Sequence, residues 1–403
     1  MTRDFRLLAA GQALSWLGTG FQTVALSVAV ITTGGGPGDL GAVQACSILA
    51  LLAGTLFGGV WADRIEPRTV MVMADLLRCA AVSAMAVLFA RDGRSVPLLC
   101  LLAAVTAGAG AFFNPAMSSL KPMLVSGDGR RSANATLSLL QTGASVLGPA
   151  TGGVVVAAAG PAAGFAVNAA SFLVSVVSVL AMRVRTPDRP PHDSLLRDLG
   201  AGWREIARHE WLRTGILAAT VYHVANGVLL VLTQVVIIRH LGGAHAVGLV
   251  AAAEGLGGAS GAFIAMRTRP ARPLRAGWTA LLLMPLWAGS YVWPATLAAV
   301  LLGAVLGYAG LLFFSVGWET AIQDHVPHRL LARVASWDTL TSFIAMPLGS
   351  ALAGPLANWL GIRPVLAGCA LVLAGASLSP LATAGTRHLA RTEPEKLAAT
   401  ATL

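Results

Sequence analysis

Apolar runs of about twenty residues recur along the whole chain, separated by short polar breaks. They fall at roughly 7–33, 41–61, 70–90, 96–119, 134–159, 162–182, 212–238, 247–266, 276–292, 296–322, 334–359 and 364–384. Each is long enough to cross a bilayer as a helix. Only Gly160-Pro161 parts the fifth run from the sixth. Merging two pairs would leave ten spans, but the run lengths favour twelve. The pattern predicts an all-α membrane protein with 12 transmembrane helices in two six-helix, pseudo-symmetric bundles.

The longest hydrophilic segment, about 183–211, stands midway and contains Pro187, Pro190 and Pro191. Its second part, Leu195 to Trp211, suits a short amphipathic helix on the membrane surface. Four parts follow: an N-terminal half at 1–183, a linker at 184–211, a C-terminal half at 212–385 and a tail at 386–403. The halves resemble each other weakly. A shift of 201 places Phe113 on Phe314, Val125 on Val326 and Ala133 on Val334, and a shift of 202 places Gly59 on Gly261. Repeated halves are a transporter architecture, with the substrate site between them at mid-membrane.

Composition leads to the same class. The 403 residues are 56% hydrophobic and only 11% charged, with a mean hydropathy of +0.72. A soluble domain carries about 25% charged residues. The net charge of +10 sits in clusters between spans rather than along one face, which argues against nucleic acid as a partner. Of the 28 Lys and Arg residues, only Arg91, Arg94, Arg239 and Arg363 fall in the segments that are outside if the N-terminus is cytoplasmic; Arg78 lies within a span. The positive-inside rule therefore puts both termini in the cytoplasm. Arg3 and Arg6 precede a run too long for a cleaved signal, so it is expected to be the first permanent span. Cys46, Cys79, Cys100 and Cys369 lie in apolar runs without paired spacing and suit packing.

The densest charge lies at Asp63, Arg64, Glu66 and Arg68, between the second and third spans. With Gly59 these residues resemble the loop motif G-x-x-x-D-R/K-x-G-R-R/K of the major facilitator superfamily. Gly59, Asp63, Arg64 and Arg68 match; Glu66 replaces the second glycine and Pro67 the first basic residue of the final pair. The resemblance implies a cytoplasmic gate in which this loop latches the two halves and Asp75 of the third span joins it. The plain alternative is a solvated, topology-setting loop. Asp75 and Arg78, three apart on a helix, can also simply pair.

The fifth span carries Gly148-Pro149-Ala150-Thr151-Gly152-Gly153, which resembles the core of the exporter motif of drug/proton antiporters. Glycine permits close helix approach and proline bends the span. Phe112 to Ala116 and Arg131 to Asn134, with Gln323 to Pro327, Arg333 to Asp338 and Ala353 to Pro355, look like the bacterial branch that includes the enterobactin exporter. The Ala, Gly and Arg bias suits a high-GC bacterial genome.

An ionisable group inside a span is costly and so a functional candidate by default. Glu254, among Ala and Gly in the eighth span, is the leading proton carrier. The alternative is a carboxylate facing a watery vestibule. Asp338 in the eleventh span is the second coupling candidate, with a gate role or a pair to Arg333 as alternatives. The first span, around Trp16 to Gln22, has no acid, which departs from many drug antiporters. In the resembled fold, spans one, four, seven and ten line the cavity. Their polar residues Gln22, Asn114, Tyr222, His223 and Asn226 are the substrate-cavity candidates. His223 suits either a pH-sensitive ligand group or a hydrogen-bonded packing residue.

The sequence holds no Walker loop, no metal-ligand spacing and no convergent catalytic set. No enzyme activity, cofactor or metal is expected. The expectation is a monomeric secondary exporter of a drug or natural product in the bacterial cytoplasmic membrane, driven by proton antiport. A dedicated siderophore exporter and a lipid transporter are the alternatives.

Overall fold

The computed structural model describes residues 2–62, 65–125, 129–183, 203–268, 270–292 and 296–390, and every regular element among them is helical. α1 (Arg3–Thr32) starts at Thr2, whose hydroxyl accepts from Phe5 N–H and donates to Leu124 O. α2 (Pro37–Ala62) and α3 (Pro67–Ala90) each open on proline, where the missing N–H costs nothing. α4 (Val96–Leu124) is capped by Ser95. The run Gly129–Leu180 is broken at Gly160, which takes φ 79°. Positive φ suits glycine, and Pro161 then restarts the helix. Its arms are α5 (129–159) and α6 (161–180).

The chain continues as α7 (Glu210–His240), α8 (Gly243–Arg267), α9 (Pro273–Leu281), α10 (Leu283–Gly289), α11 (Leu297–His325), α12 (His328–Leu360) and α13 (Ile362–Leu378), then a 3₁₀ turn (Pro380–Ala382) and α14 (Ala384–His388). Ten described helical stretches are long and apolar enough to cross a membrane, and one of them, Ser132–Leu180, contains the break at Gly160. The ninth expected span falls in two short helices. Pro285 explains the division: it offers no N–H to Leu281 O, and its ring crowds that carbonyl.

The helices form two compact units. One comprises the described residues of Met1–Asp193, Leu230–Ala252 and Ser350–Trp359; the other comprises those of Ser194–Leu229, Ala253–Gly349 and Leu360–Leu403. In the first unit a core of Phe5, Leu8, Met71, Phe113, Leu120 and Leu124 lies at the end that carries the chain's first residues. In the second, Trp278 and Phe314 rings pack at 4.4 Å, with Trp211 and Trp318 edge-on at 5.7 Å. Large apolar side chains such as Leu371 and Trp359 stand exposed on the helix surfaces, as side chains facing lipid do.

Lipid tails are as apolar as leucine, so burial from water does not bring membrane helices together; close packing of small residues does. α1 lies in a seam lined by small residues. A Cβ placed on Gly20 would stand 2.6 Å from the Gly148 carbonyl carbon, and one on Gly152 would stand 2.9 Å from Phe21 Cα. Gly153 and Gly248 make the same kind of crossing between α5 and α8, at 2.9 Å.

These contacts give a stability prediction. Gly20→Ala and Gly248→Ala force backbone apart and should destabilise the purified protein by about 1–3 kcal/mol. Gly143→Ala meets nothing within 4 Å and should be neutral or slightly stabilising, because alanine favours helix. Thermal unfolding in detergent checks this; equal effects at all three positions would remove the close-packing account.

Candidate functional site

The Asp75–Arg78 pair is the most buried charge in the first unit. One turn of α3 brings Arg78 Nη1 to 3.1 Å from Asp75 Oδ1, with side chains 15% and 1% exposed. The guanidinium lies 4.1 Å from the Phe172 ring centre and 5.9 Å from that of Phe113. Stacking on rings suits arginine because its planar cation is weakly hydrated. The Ser175 hydroxyl of α6 also faces Asp75, while Asp75 Oδ2 has no partner at hydrogen-bonding distance among the described residues. Gln12 Nε2 donates to Ser175 Oγ at 3.2 Å. A polar thread thus joins α1, α6 and α3.

The rest of the loop motif is distributed differently. Gly59 lies within α2, and Asp63 and Arg64 lie outside the described residues. Arg68, at the start of α3, donates to the carbonyls of Val179 and Leu180. These are the last carbonyls of α6, which lack helical partners and carry the negative end of its dipole. Nearby, Asp4 accepts from Arg183 N–H at 3.0 Å. The observed partners of Arg68 therefore lie within the first unit.

The exporter-like core does two jobs. Gly148 and Gly152 admit α1, and Gly153 admits α8. Pro149 sits inside the helix, and its carbonyl abuts Gly248, where an added Cβ would come within 2.5 Å. Two candidate cavity residues are partly committed to structure. Gln22 accepts from Asn168 Nδ2, and Asn168 Oδ1 in turn accepts from Ser171 at 3.1 Å. Asn226 of α7 is half-buried.

Asn114 belongs to a polar wall. It lines a cavity of about 340 Å³ in the first unit together with Ser118 and Lys121 of α4, Asn134, Ser138 and Gln141 of α5, and Trp16 of α1. Positions 114, 118 and 121 share one helix face, as do 134, 138 and 141. Sequence reasoning did not nominate Ser118, Lys121, Asn134, Ser138 or Gln141 as cavity lining, though the i, i+4, i+7 spacing was the signal.

In the second unit Glu254 finds a partner that its own helix does not supply. At a rise of about 1.5 Å per residue it lies some 16 Å into α8. The Tyr308 hydroxyl of α11 faces it. Glycines explain the meeting: a Cβ placed on Gly257 would stand 2.9 Å from Val305 Cα, and one on Gly261 would stand 2.8 Å from Ala309 Cα. The chain has three tyrosines, and all three gather here. Tyr222 and Tyr291 lie within electrostatic reach of Tyr308. Trp287 packs edge-on against both Tyr291 at 5.7 Å and Tyr308 at 5.6 Å. Tyr222 is buried, and its hydroxyl has no hydrogen-bond partner among the described residues.

His223 is beside Tyr222, with ring centres 5.6 Å apart. Its Nδ1 lies 2.6 Å from Ala219 O. A carbonyl oxygen only accepts, so Nδ1 carries hydrogen and Nε2 is the nitrogen left to gain or lose a proton. Asp338 interacts electrostatically with His223 and with Glu319, and its Oδ2 accepts from Trp318 Nε1 at 3.2 Å. The second unit thus holds Asp338 bonded by Trp318, with an imidazole beside it, and Glu254 facing the Tyr308 hydroxyl.

Similarity to known proteins agrees with this architecture. The chain is 30% identical over 382 residues to the multidrug efflux pump Tap of Mycolicibacterium fortuitum, covering 89% of each. It is 25% identical over 362 residues to the enterobactin exporter EntS of Citrobacter koseri, covering 87% of this chain and 85% of the other. The crystal structure of a peptide transporter, POT, superimposes with a TM-score of 0.77 at 14% identity, covering 97% of this chain and 96% of that one; at that identity the likeness speaks for the fold alone. The model of the Major Facilitator Superfamily matches residues 8–350. The chain belongs to that superfamily and is a multi-pass membrane transporter, not an enzyme.

Proposed function

We propose that this protein exports a small drug-like or natural-product molecule across the bacterial cytoplasmic membrane by alternating access, in exchange for protons. The reading is carried by Glu254, a carboxylate set deep in an apolar helix of the second unit, and is supported by the polar cavity wall on α4 and α5 of the first. A membrane span tolerates such groups where they face water, bind a substrate or move a proton. Similarity to Tap and EntS over most of the chain supports the outward direction. Both termini are assigned to the cytoplasm on the distribution of Lys and Arg.

The coupling step rests on Glu254. Ionised, it accepts the Tyr308 hydrogen bond; protonated, it is a neutral acid that hydrocarbon tolerates. The proton enters when the site opens outward and leaves when it opens inward, while substrate moves the other way. His223 Nε2 and Asp338 form a second proton-exchanging couple on α7 and α12. The extracellular seal is assigned to the glycine crossing of α5 and α8, which must part for release. The loop motif at Gly59, Asp63, Arg64 and Arg68, with the Asp75–Arg78 pair, is assigned to the cytoplasmic gate. The functional unit is the monomer.

The experiment is accumulation of dyes, antibiotics and siderophores in efflux-deficient bacteria with and without the protein. Reduced accumulation that a protonophore reverses is expected; several unrelated compounds would mean multidrug export, and one siderophore alone would mean dedicated export. Unchanged accumulation across the panel contradicts the proposal. Glu254→Gln should abolish proton-driven export while leaving substrate binding and membrane insertion intact. Tyr308→Phe removes the phenol hydroxyl that faces the carboxylate and should weaken coupled export without abolishing it. Full coupled flux in Glu254→Gln removes this residue from the mechanism.

A further inference from the structure

The wall that contains Asn114 has a chemical preference of its own. Its two polar rows are Asn114, Ser118 and Lys121 on α4, and Asn134, Ser138 and Gln141 on α5. Each row repeats at i, i+4, i+7, so each occupies a single face of its helix. The opposite faces are apolar and buried, with Phe113, Leu120 and Leu124 on α4 and Ala133 on α5 built into the core. Five of the six polar side chains are solvent-exposed rather than packed, and Lys121 is half-buried. Asn114, Ser118, Asn134, Ser138 and Gln141 fall within the apolar runs and Lys121 just beyond the fourth, so facing the five to lipid would cost free energy and a water-filled opening does not.

The charge in this cavity has one sign. Among the described residues Lys121 is its only ionic lining residue, and no carboxylate lines it. The buried acid of the same unit, Asp75, is held by Arg78 at 3.1 Å. The other polar lining groups are amides and hydroxyls, which can donate hydrogen bonds, and Met117 and Leu137 complete the lining with apolar surface. Trp16 offers a flat apolar face at the edge. A volume of about 340 Å³ reaches the range of roughly 300–1,000 Å³ that small-molecule sites occupy.

We propose that this wall is an oxyanion-binding site. Lys121 pairs with a carboxylate, phenolate or phosphate group, the amides of Asn114, Asn134 and Gln141 hold its oxygens, and Trp16 receives an attached aromatic body. The site's place in the export cycle rests on the function proposed above, where the oxyanion belongs to the exported molecule. An anionic lipid headgroup carries the same chemistry, and the test separates the two sources. A cationic ligand is disfavoured by Lys121 and finds no counter-charge among the described lining residues.

The test is binding rather than transport. The full-length protein is purified in neutral detergent, and fluorescence anisotropy follows fluorescein as the anionic probe and rhodamine 6G as the cationic one. Wild type should bind fluorescein. Lys121→Gln should weaken that affinity about tenfold, the loss of one charge-assisted contact. Lys121→Arg should retain it, and rhodamine 6G should respond to neither change. Size-exclusion profiles of the variants verify folding. Equal fluorescein affinity in wild type and Lys121→Gln overturns the proposal, as does a wild-type preference for the cation. In phosphatidylcholine vesicles, displacement of bound fluorescein by added phosphatidylglycerol from wild type assigns the site to a lipid headgroup, and no displacement assigns it to a soluble anion. Because binding is read without flux, failure of the wild type to export anything would overturn the exporter reading alone.

Discussion

A polar group placed in hydrocarbon must find a partner or face water, and this constraint accounts for most of what is specific in the structure. Asp75 and Arg78 satisfy it with each other and with two aromatic rings. Gln12 satisfies it with Ser175, Gln22 with Asn168, and Asp338 with Trp318. Glu254 faces the Tyr308 phenol. The rows on α4 and α5 satisfy it by opening onto a cavity. The groups tied to rigid partners hold the helices together. The groups with few partners, or with open space beside them, are the ones to which proton and ligand exchange is assigned in the proposed function.

Close helix approach is the second condition, and it positions the first. Tyr308 reaches Glu254 because Gly257 and Gly261 let the α11 backbone touch α8. Gly148 and Gly152 press α1 against α5, which sets Gln22 beside α6, and Gly153 brings α8 to α5. Packing of this kind works through contact and is lost when backbones separate by an ångström or so. A crossing of two glycines can therefore serve as a seal that opens without breaking any strong bond, which is what an alternating gate requires.

Much of the fold was legible in the sequence because the bilayer imposes a length and an apolar character on every span. The break at Gly160-Pro161 was legible too, since positive φ and a helix-starting proline are local properties. The division of the ninth span at Pro285 was less so, because hydropathy averages over a proline that the hydrogen-bond ladder cannot ignore. Glu254 could be nominated from its setting among Ala and Gly. Tyr308 could not, because only the helix crossing reveals that contact. Gln22 was read as cavity lining, yet it bonds to Asn168; a polar side chain's direction within a span depends on its neighbours. Lys121, Ser118, Ser138 and Gln141 escaped notice because each is unremarkable alone, and only their shared faces give them meaning. Arg68 was expected in a latch between halves, and its observed bonds run to the end of α6.

The central claim is that substrate moves outward in exchange for protons, and the most direct measurement follows the protons. The purified protein would be reconstituted into sealed vesicles containing a pH-sensitive dye, and a gradient of a transported compound would be imposed with no other energy source. The account predicts proton movement opposite to the substrate, dependent on the protein and saturating with substrate. Substrate flux with no accompanying change in internal pH would contradict it.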